Sequence, residues 1–253
     1  MMTRTFRAAS LAVALLLLPA TASAADSFND EQRAEIGKIV RQDLLDNPEI
    51  LIEVSKELET RQKAEEDQKR EGALVANADA IFKSPDDLVA GNPKGDVTMV
   101  EFFDYNCSWC KKGLPEVLSL IEKDKNLRLV LKEFPIFGGD SDYAAMAALA
   151  SRAQGKYWEF HLAMLGHEGK LTRDNVDEIA RAQGLDVDKL KADMNSPGIA
   201  RIIAANQSLA QSLNINGTPA FIIDKTVVPG YLPVDGLMAA IAEVRGSGGC
   251  KLC

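Results

Sequence analysis

Two cysteines separated by two residues, Cys107 and Cys110, stand directly after an apolar run that begins at Val97. Such a run is typical of a buried strand, and the residues after it have the pattern of a helix. A cysteine at a helix start lies beside unpaired backbone N–H groups and the positive end of the helix dipole, which favour a thiolate. The second cysteine, one turn later, can close a disulfide and release a bound substrate sulfur. The spacing therefore predicts thiol-disulfide exchange.

A zinc half-site or an inert disulfide is the alternative interpretation of this C-x-x-C pair. A zinc site needs a second pair of ligands. The two histidines, His161 and His167, lie on an aromatic helical stretch and just beyond its end, where no such pair is evident. The redox interpretation is therefore favoured. Downstream, a Gly217-Thr218-Pro219 turn opens another apolar run.

The first 24 residues have the pattern of a secretory signal peptide. Arg4 and Arg7 precede the apolar stretch Leu11 to Leu18, and Ala22-Ser23-Ala24 is a small-residue cleavage signal. The apolar stretch is too short to span a bilayer. We therefore expect cleavage after Ala24 and export to a bacterial periplasm, where C-x-x-C enzymes work in an oxidising environment.

Composition narrows the class of partner. The 253-residue chain has a net charge of −8, which becomes about −10 once the two arginines of the signal are removed. This acidic balance disfavours nucleic acid or anionic lipid as a partner. The length fits one well-filled domain with an appendage.

Residues 25–72 predict two amphipathic helices and a charged connector. Apolar residues recur at helical spacing on both sides of an Asn47-Pro48 break, and Pro48 suits a first helical turn. Nine of the thirteen residues from Glu59 to Glu71 are charged, which predicts a solvated helical linker. Helices this short need a partner surface to be stable. We expect oligomerisation through them, and the alternative is that residues 25–72 fold back on their own domain.

Residues 73–246 alternate strand and helix signals. A short strand is expected near Asp79 to Lys83, then a βαβ unit with strands at Val97 to Tyr105 and Leu127 to Phe134. The signals turn helical over about 139–213, and strands and a closing helix follow. The predicted fold class is α/β, a small sheet with an inserted helical domain. Residues 247–253 are expected to be a flexible tail.

At this point the residues resemble a known family. The run from Val100 to Cys110, the helical insertion and Gly217 to Phe221 look like the DsbA-like branch of the thioredoxin superfamily. The two N-terminal helices and the connector resemble the narrower ScsC-like (suppressor of copper sensitivity) group, whose members carry an N-terminal oligomerisation segment. The resemblance implies a thioredoxin-like fold and a homo-oligomer, with a trimer favoured over a dimer.

The resemblance also assigns roles to residues. It implies that Cys107 is the exposed nucleophile, that Cys110 is the buried resolving thiol, and that Pro219 follows a cis peptide bond facing them. The Thr218 backbone would pair with an extended substrate chain. Threonine before this proline occurs among isomerases of the family.

Glu101 matches the buried acidic residue that the family carries behind the active site. A buried carboxylate with a raised pKa can accept the proton of Cys110. Lys132 on the next strand is its expected charge partner. The alternative is that Glu101 faces outward from the strand.

Ser108-Trp109 departs from the Pro-His pair of strongly oxidising DsbA enzymes. Without an imidazolium beside Cys107 we expect a less oxidising couple. Trp109 is expected to offer an apolar platform to unfolded chains, or alternatively to pack across the domain surface.

A second C-x-x-C, Cys250 and Cys253, ends the sequence. Three interpretations stay open: an incidental tail disulfide, a thiolate pair for Cu(I) or another soft metal, and a mobile redox arm that serves Cys107. No cofactor is expected apart from the redox-active Cys107–Cys110 disulfide.

The predicted function is a periplasmic protein disulfide isomerase or reductase that acts on misoxidised or unfolded proteins. Its expected electron donor is a membrane thiol reductase. A DsbA-type dithiol oxidase is the first alternative. A copper-binding or chaperone-like copper-tolerance protein is the alternative of another class.

Overall fold

The computed structural model describes residues 28–253. The predicted signal peptide, residues 1–24, lies outside this range. Contacts divide the chain into two compact units, Met1–Gln62 and Lys63–Cys253. Across residues 28–253, none of the helices combines the length and the apolar composition that a membrane crossing requires.

The described part of the first unit is helical. Helix α1 (Asp30–Asp46) begins with a capping box, in which the Asn29 side chain accepts from the Gln32 backbone and the Gln32 side chain accepts from that of Asn29. Helix α2 (Glu49–Ala76) begins after the Asn47-Pro48 break, where the sequence predicts a new helix. No residue of α1 is buried. The exposed large apolar side chains of this unit are Phe28, Ile36, Ile39, Val40, Leu45, Leu51, Ile52, Val54 and Leu58.

The second unit carries the sheet. After the end of α2 come α3 (Ala78–Phe82), β1 (Leu88–Gly91), β2 (Val97–Phe103), α4 (Ser108–Lys123) and β3 (Leu127–Glu133). The helical insertion contains α5 (Asp140–Ser151), a 3-10 turn (Arg152–Gln154), α6 (Tyr157–Leu165), α7 (Arg173–Ala182), α8 (Val187–Met194) and α9 (Pro197–Ser212). Strands β4 (Ala220–Ile223) and β5 (Thr226–Pro229) and helix α10 (Val234–Gly246) follow. The α/β fold class predicted from the sequence is confirmed.

Strand β2 is the centre of a five-stranded sheet of order β1-β3-β2-β4-β5. It pairs in parallel with β3, as a βαβ unit requires, and antiparallel with β4. All seven residues of β2 are buried because both faces of the sheet are covered.

The two faces of β2 belong to separate cores. Val97, Met99 and Phe103 pack in the larger core, which contains residues of α4, α10 and the insertion. Val100 and Phe102 pack in the smaller core, with residues of α2, α3 and α9. Successive side chains of a strand point to opposite faces, so the odd-numbered residues of β2 face the larger core and the even-numbered residues face the smaller core.

One predicted element is wrong. The short strand expected near Asp79 to Lys83 is helix α3, and the edge strand is instead β1. Ile81 and Phe82, at the end of this helix, are buried in the smaller core. Periodicity does not separate a short buried helix from a short buried strand, which explains the error.

The tail is also different from the expectation. Residues 247–253 were expected to be flexible, but they are docked on the sheet. The Asp224 carboxylate accepts hydrogen bonds from the backbone N–H groups of Lys251 and Leu252, each at 2.8 Å. Leu252 and Cys253 pack against the smaller core. The tail is fixed because a buried turn between β4 and β5 supplies an acceptor for its backbone.

Candidate active site

Cys107 is the N-cap residue of α4. Its backbone is extended (φ −74°, ψ 115°), and its Sγ accepts a hydrogen bond from the backbone N–H of Cys110 at 3.3 Å. An N-cap side chain normally satisfies an unpaired N–H of the first turn, and here a sulfur does so. The thiol donates to the backbone carbonyl of Thr218 at 3.1 Å. Cys107 and Cys110 are both free thiols.

The two thiols have opposite acidities. Hydrogen bonding from the Cys110 thiol, followed by the contact with Thr218 and then the backbone N–H groups of Cys110 and Trp109, lowers the pKa of Cys107 to about 6, although burial opposes this shift. Burial, the hydrogen bond to Cys107 and the nearby charge of Glu101 raise the pKa of Cys110 far above its ordinary range. Cys107 is therefore mostly thiolate at neutral pH, whereas Cys110 needs a proton acceptor before it can attack.

The expected exposure of Cys107 is not observed. Only 4% of the residue is exposed, because the loop at Thr218 and the first turn of α4 enclose its sulfur. Cys110 is buried, as the resemblance implied.

The loop facing the cysteines carries Thr218 and Pro219. The peptide bond between them is cis. The carbonyl of Thr218 contacts Cys107, and its Oγ1 is buried with no hydrogen-bond partner among the described residues. Pro219 directly precedes β4, which pairs with β2, so the sheet fixes the position of this loop beside the start of α4.

Glu101 lies inside the larger core, on the same face of β2 as Met99 and Phe103. It is 4% exposed, which excludes the outward-facing alternative. Burial, followed by the negative charge of Cys107, raises the pKa of its carboxyl to about 8. The carboxyl is therefore mostly protonated at neutral pH and is coupled electrostatically to both cysteines.

Lys132 is not the charge partner of Glu101. Lys132 lies opposite Phe102 in the parallel pairing, so it enters the smaller core on the other face of the sheet. There its Nζ pairs with the Asp87 carboxylate at 2.6 Å and donates to the carbonyl of Ala80 at 2.7 Å. Glu101 consequently lacks the cation that would have lowered its pKa.

Trp109 is 52% exposed and lies beside the nucleophile. Its ring contacts the ring of Tyr231 at a centroid distance of 5.6 Å, and Lys112 Nζ lies 4.7 Å from the Trp109 centroid. Trp109 therefore fits in part both the prediction of an exposed apolar platform and the prediction of packing across the domain surface. One part of the indole packs on the domain, and the other part faces solvent.

The turn before Cys107 contains two residues that the sequence analysis missed. The buried Asp104 carboxylate accepts from the backbone of Asn106 (2.7 Å), from Ser141 Oγ (2.7 Å) and from the backbone of Ile136 (2.8 Å). The Asn106 side chain accepts from Leu171 N at 2.7 Å and donates to Leu171 O at 3.1 Å. These bonds join the turn to the helical insertion. In the sequence, the position of Asp104 and Asn106 directly before the C-x-x-C pair is the one local feature that indicates their role.

A buried polar cluster was also missed. Tyr105 Oη and Tyr157 Oη donate to Oε1 of Glu133, and Tyr105 Oη lies 3.0 Å from His161 Nδ1. Burial raises the pKa of Glu133 to about 8 and lowers that of His161 to about 3. His161 is therefore neutral and belongs to the core. In the sequence, the position of Glu133 at the end of an apolar strand is the feature that indicates a buried carboxyl group.

The tail cysteines are joined in a disulfide. Thr98 N donates to Cys253 Sγ at 3.3 Å, at the start of β2, whereas Cys107 follows its end. The strand rises about 17 Å from Thr98 to its end at Phe103, at about 3.3 Å per residue. Within residues 28–253, no cluster of three or more His, Cys, Asp or Glu side chains is arranged to hold a metal ion. The docked disulfide fits the tail-disulfide interpretation better than the other two.

Comparison with known families identifies both parts of the chain. The family model described as the DSBA-like thioredoxin domain matches residues 98–242. A second model, described as the N-terminal domain of the copper resistance protein ScsC, matches residues 32–65. Both resemblances found in the sequence are confirmed.

The chain is also similar to individual proteins. A thioredoxin-like oxidoreductase from Silicibacter pomeroyi is 47% identical (TM-score 0.65), and the match covers 66% of this chain and 97% of that one. BcfH from Salmonella enterica Typhimurium is 30% identical (TM-score 0.71), with 85% and 97% covered. A Na(+)/H(+) antiporter NhaA 1 from Salinispora arenicola is 31% identical over 183 residues, or 69% of this chain. The chain spans only 28% of that relative's length.

Proposed function

Because the chain belongs to the DSBA-like thioredoxin domain family and is a thiol-disulfide oxidoreductase, we propose that it acts as a protein disulfide isomerase or reductase on misoxidised proteins in the periplasm. The observation that carries this proposal is the reactive N-cap thiol of Cys107 beside a resolving thiol that cannot ionise unaided. The predicted signal peptide supports the location.

The proposed reaction begins with attack by the Cys107 thiolate on a substrate disulfide. A mixed disulfide forms and one substrate sulfur leaves as a thiolate. In isomerisation, a second substrate thiolate attacks the mixed disulfide and regenerates the Cys107 thiolate, with no net change in oxidation state. In reduction, Cys110 attacks Cys107 Sγ and releases the second substrate thiol. Two electrons then pass to the substrate and Cys107–Cys110 becomes a disulfide.

Glu101 is the proposed proton acceptor for Cys110. It is buried, and its raised pKa of about 8 lies close to working pH, where a general base is most effective. The reverse transfer returns the proton when a donor, proposed to be a membrane thiol reductase, reduces the disulfide. Thr218 is proposed to pair through its backbone with the substrate chain beside Cys107.

Oligomerisation is proposed to favour isomerisation over oxidation. Nine large apolar side chains between Phe28 and Leu58 are exposed in the described part of the first unit. Exposed apolar side chains of this kind support the proposal of an interface there. An oligomer, with a trimer favoured, would place several Cys107 sites around one substrate and keep an oxidase from reaching them.

The isomerase proposal is tested by reactivation of a scrambled multi-disulfide protein with the pre-reduced chain from Ala25 onward. We expect recovery that depends on Cys107 and is lost in Cys107→Ala. Recovery equal to that of the variant would contradict the proposal. Sedimentation of the same chain tests the oligomer, and Leu51→Glu with Val54→Glu is expected to give the monomer mass. A monomer without these substitutions would refute the assembly.

A dithiol oxidase is the second candidate. The lowered pKa of Cys107 favours it, because stabilising the thiolate stabilises the reduced pair and makes the disulfide a stronger oxidant. Rapid oxidation of a reduced substrate by the disulfide form, without reactivation of scrambled protein, would establish this role. The copper-binding class needs stoichiometric Cu(I) binding that survives loss of Cys107.

A further inference from the structure

A cleft of about 840 Å³ opens beside the nucleophile, between α4 and the segment 165–170 of the insertion. Asn106 and Ser108, which flank Cys107 in the chain, both line it. Its apolar lining comes from Leu114, Pro115, Phe137 and Leu165. Thr218 and Pro219 do not line this cleft, so it is separate from the backbone edge at which strand addition is proposed.

Hydrogen bonds fix the outer wall of the cleft to the active-site helix. Lys111 Nζ donates to the carbonyls of His167 at 2.8 Å and Gly169 at 2.6 Å. The side chain of Asn106 hydrogen-bonds to both the backbone N–H and the backbone carbonyl of Leu171. The wall between α6 and α7 is therefore tied to the residues around Cys107. A preformed cleft avoids part of the entropy cost of ordering a binding surface.

Phe137 stands at this cleft with 62% of its surface exposed. The Asp104 carboxylate accepts from the backbone N–H groups of Ile136 and Phe137, so the chain that carries the ring is fixed. An exposed aromatic ring on a fixed backbone is typical of a binding surface.

The charges around the cleft favour an apolar occupant over an anionic one. The ammonium group of Lys111 is already bonded to two carbonyls, and that of Lys170 pairs with Asp140 at 2.8 Å. Glu168 at the same rim adds a negative charge rather than a positive one. An anionic ligand would have to displace existing partners, whereas an apolar side chain would meet the four apolar lining residues.

We propose that this cleft binds an apolar side chain of the polypeptide substrate, carried within a few residues of the cysteine that Cys107 attacks. The mixed disulfide holds the substrate cysteine at Cys107, between Asn106 and Ser108, so the neighbouring substrate residues pass the cleft. An extended chain advances about 3.3 Å per residue, which brings side chains one to three positions away within reach. This inference rests on the proposed function and adds a preference to it.

The preference selects misoxidised proteins. Apolar residues are normally buried in folded proteins, so a disulfide whose apolar neighbours are accessible belongs to a chain that has not folded correctly. A cleft that accepts such a neighbour would direct the enzyme toward non-native disulfides and away from the exposed disulfides of native surfaces.

The test compares disulfide-linked peptides that differ at one position. A serine-containing peptide is matched with peptides that carry phenylalanine at each of the three positions on either side of the cysteine. We expect kcat/KM for reduction to be about tenfold higher for the best phenylalanine peptide, as burial of roughly half the ring would give. In Phe137→Ala this advantage should fall to about threefold or less. Met238→Ala, an exposed apolar residue on α10, should leave it unchanged.

Two results would overturn the inference. One is an equal kcat/KM for serine and phenylalanine peptides at every position, and the other is a preference that Phe137→Ala does not reduce. Reduction of a small disulfide, hydroxyethyl disulfide, is measured in parallel because it does not reach the cleft. Loss of Cys107-dependent reduction there would refute the proposed function itself, whereas normal reduction without a peptide preference would refute the cleft alone.

Discussion

Replacing Glu101 with glutamine separates the two steps of thiol-disulfide exchange. Attack by Cys107 needs no base, because the pKa of its thiol is lowered to about 6. Attack by Cys110 does need one, because burial raises the pKa of that thiol far above its ordinary range. Glu101→Gln keeps the size and burial of the side chain but cannot accept a proton. It should therefore slow only the second step.

The magnitude follows from the acidity of Glu101. With a pKa of about 8, roughly a tenth of the carboxyl is ionised at pH 7 and nearly all of it at pH 9. The second step should therefore accelerate about tenfold across this range. A positioned general base typically contributes about 10²–10⁴-fold, so Glu101→Gln should slow the second step by about a hundredfold or more and remove its pH dependence.

Ellman's reagent provides the assay. The reduced enzyme releases one thionitrobenzoate when Cys107 attacks the reagent and a second when Cys110 resolves the mixed disulfide, and stopped-flow absorbance resolves the two phases. Glu133→Gln is the matched control, because Glu133 is equally buried and its pKa is also about 8, but its carboxyl is held by Tyr105 and Tyr157. An unchanged second phase with an unchanged pH profile in Glu101→Gln would refute the role of Glu101.

Three further predictions concern acidity and stability. The ultraviolet absorbance of the Cys107 thiolate should titrate near pH 6 in the wild type and at higher pH in Cys110→Ala, because the Cys110 thiol is the main cause of the low pKa of Cys107. An unchanged titration in the variant would contradict this prediction. Burial raises the pKa of Glu133 from 4.5 to about 8, so the folded state binds its proton more tightly and the free energy of unfolding should fall as pH rises between these values. Urea unfolding should show that Glu133→Gln removes a fall on the order of 2–4 kcal/mol, and a pH profile identical to that of the wild type would contradict the raised pKa of Glu133. Deletion of residues 247–253 should lower the free energy of unfolding by about 1–3 kcal/mol through loss of two hydrogen bonds to Asp224. Cys107-dependent activity should persist in this variant. Loss of that activity would support the interpretation of the tail as a redox arm.

Local patterns in the sequence predicted the parts of the site that lie close together in the chain. Cys107 and Cys110 are three residues apart, and the buried run before them and the helix after them have strong periodic signals. The facing loop at Pro219 was placed there only by the family resemblance, because more than one hundred residues separate it from Cys107.

Long-range register explains what the sequence did not predict. Lys132 and Glu101 were expected to meet because they lie on neighbouring strands, but a pairing shifted by one residue decides which face each side chain enters. The bond between Asn106 and Leu171 spans 65 residues and leaves no periodic signal. Docking of the tail depends likewise on the position of Asp224, which only the folded sheet defines.

The contacts of the turn before the nucleophile limit which segments can be exchanged between homologous proteins. Three successive residues each contact the insertion: Asp104 bonds Ser141, Tyr105 lies against His161, and Asn106 bonds Leu171. The insertion is therefore not a detachable module, although it interrupts the sheet domain in the sequence. A chimera that takes its helices from a homologue would have to take residues 104–106 with them, or the nucleophile would lose the scaffold that orients it.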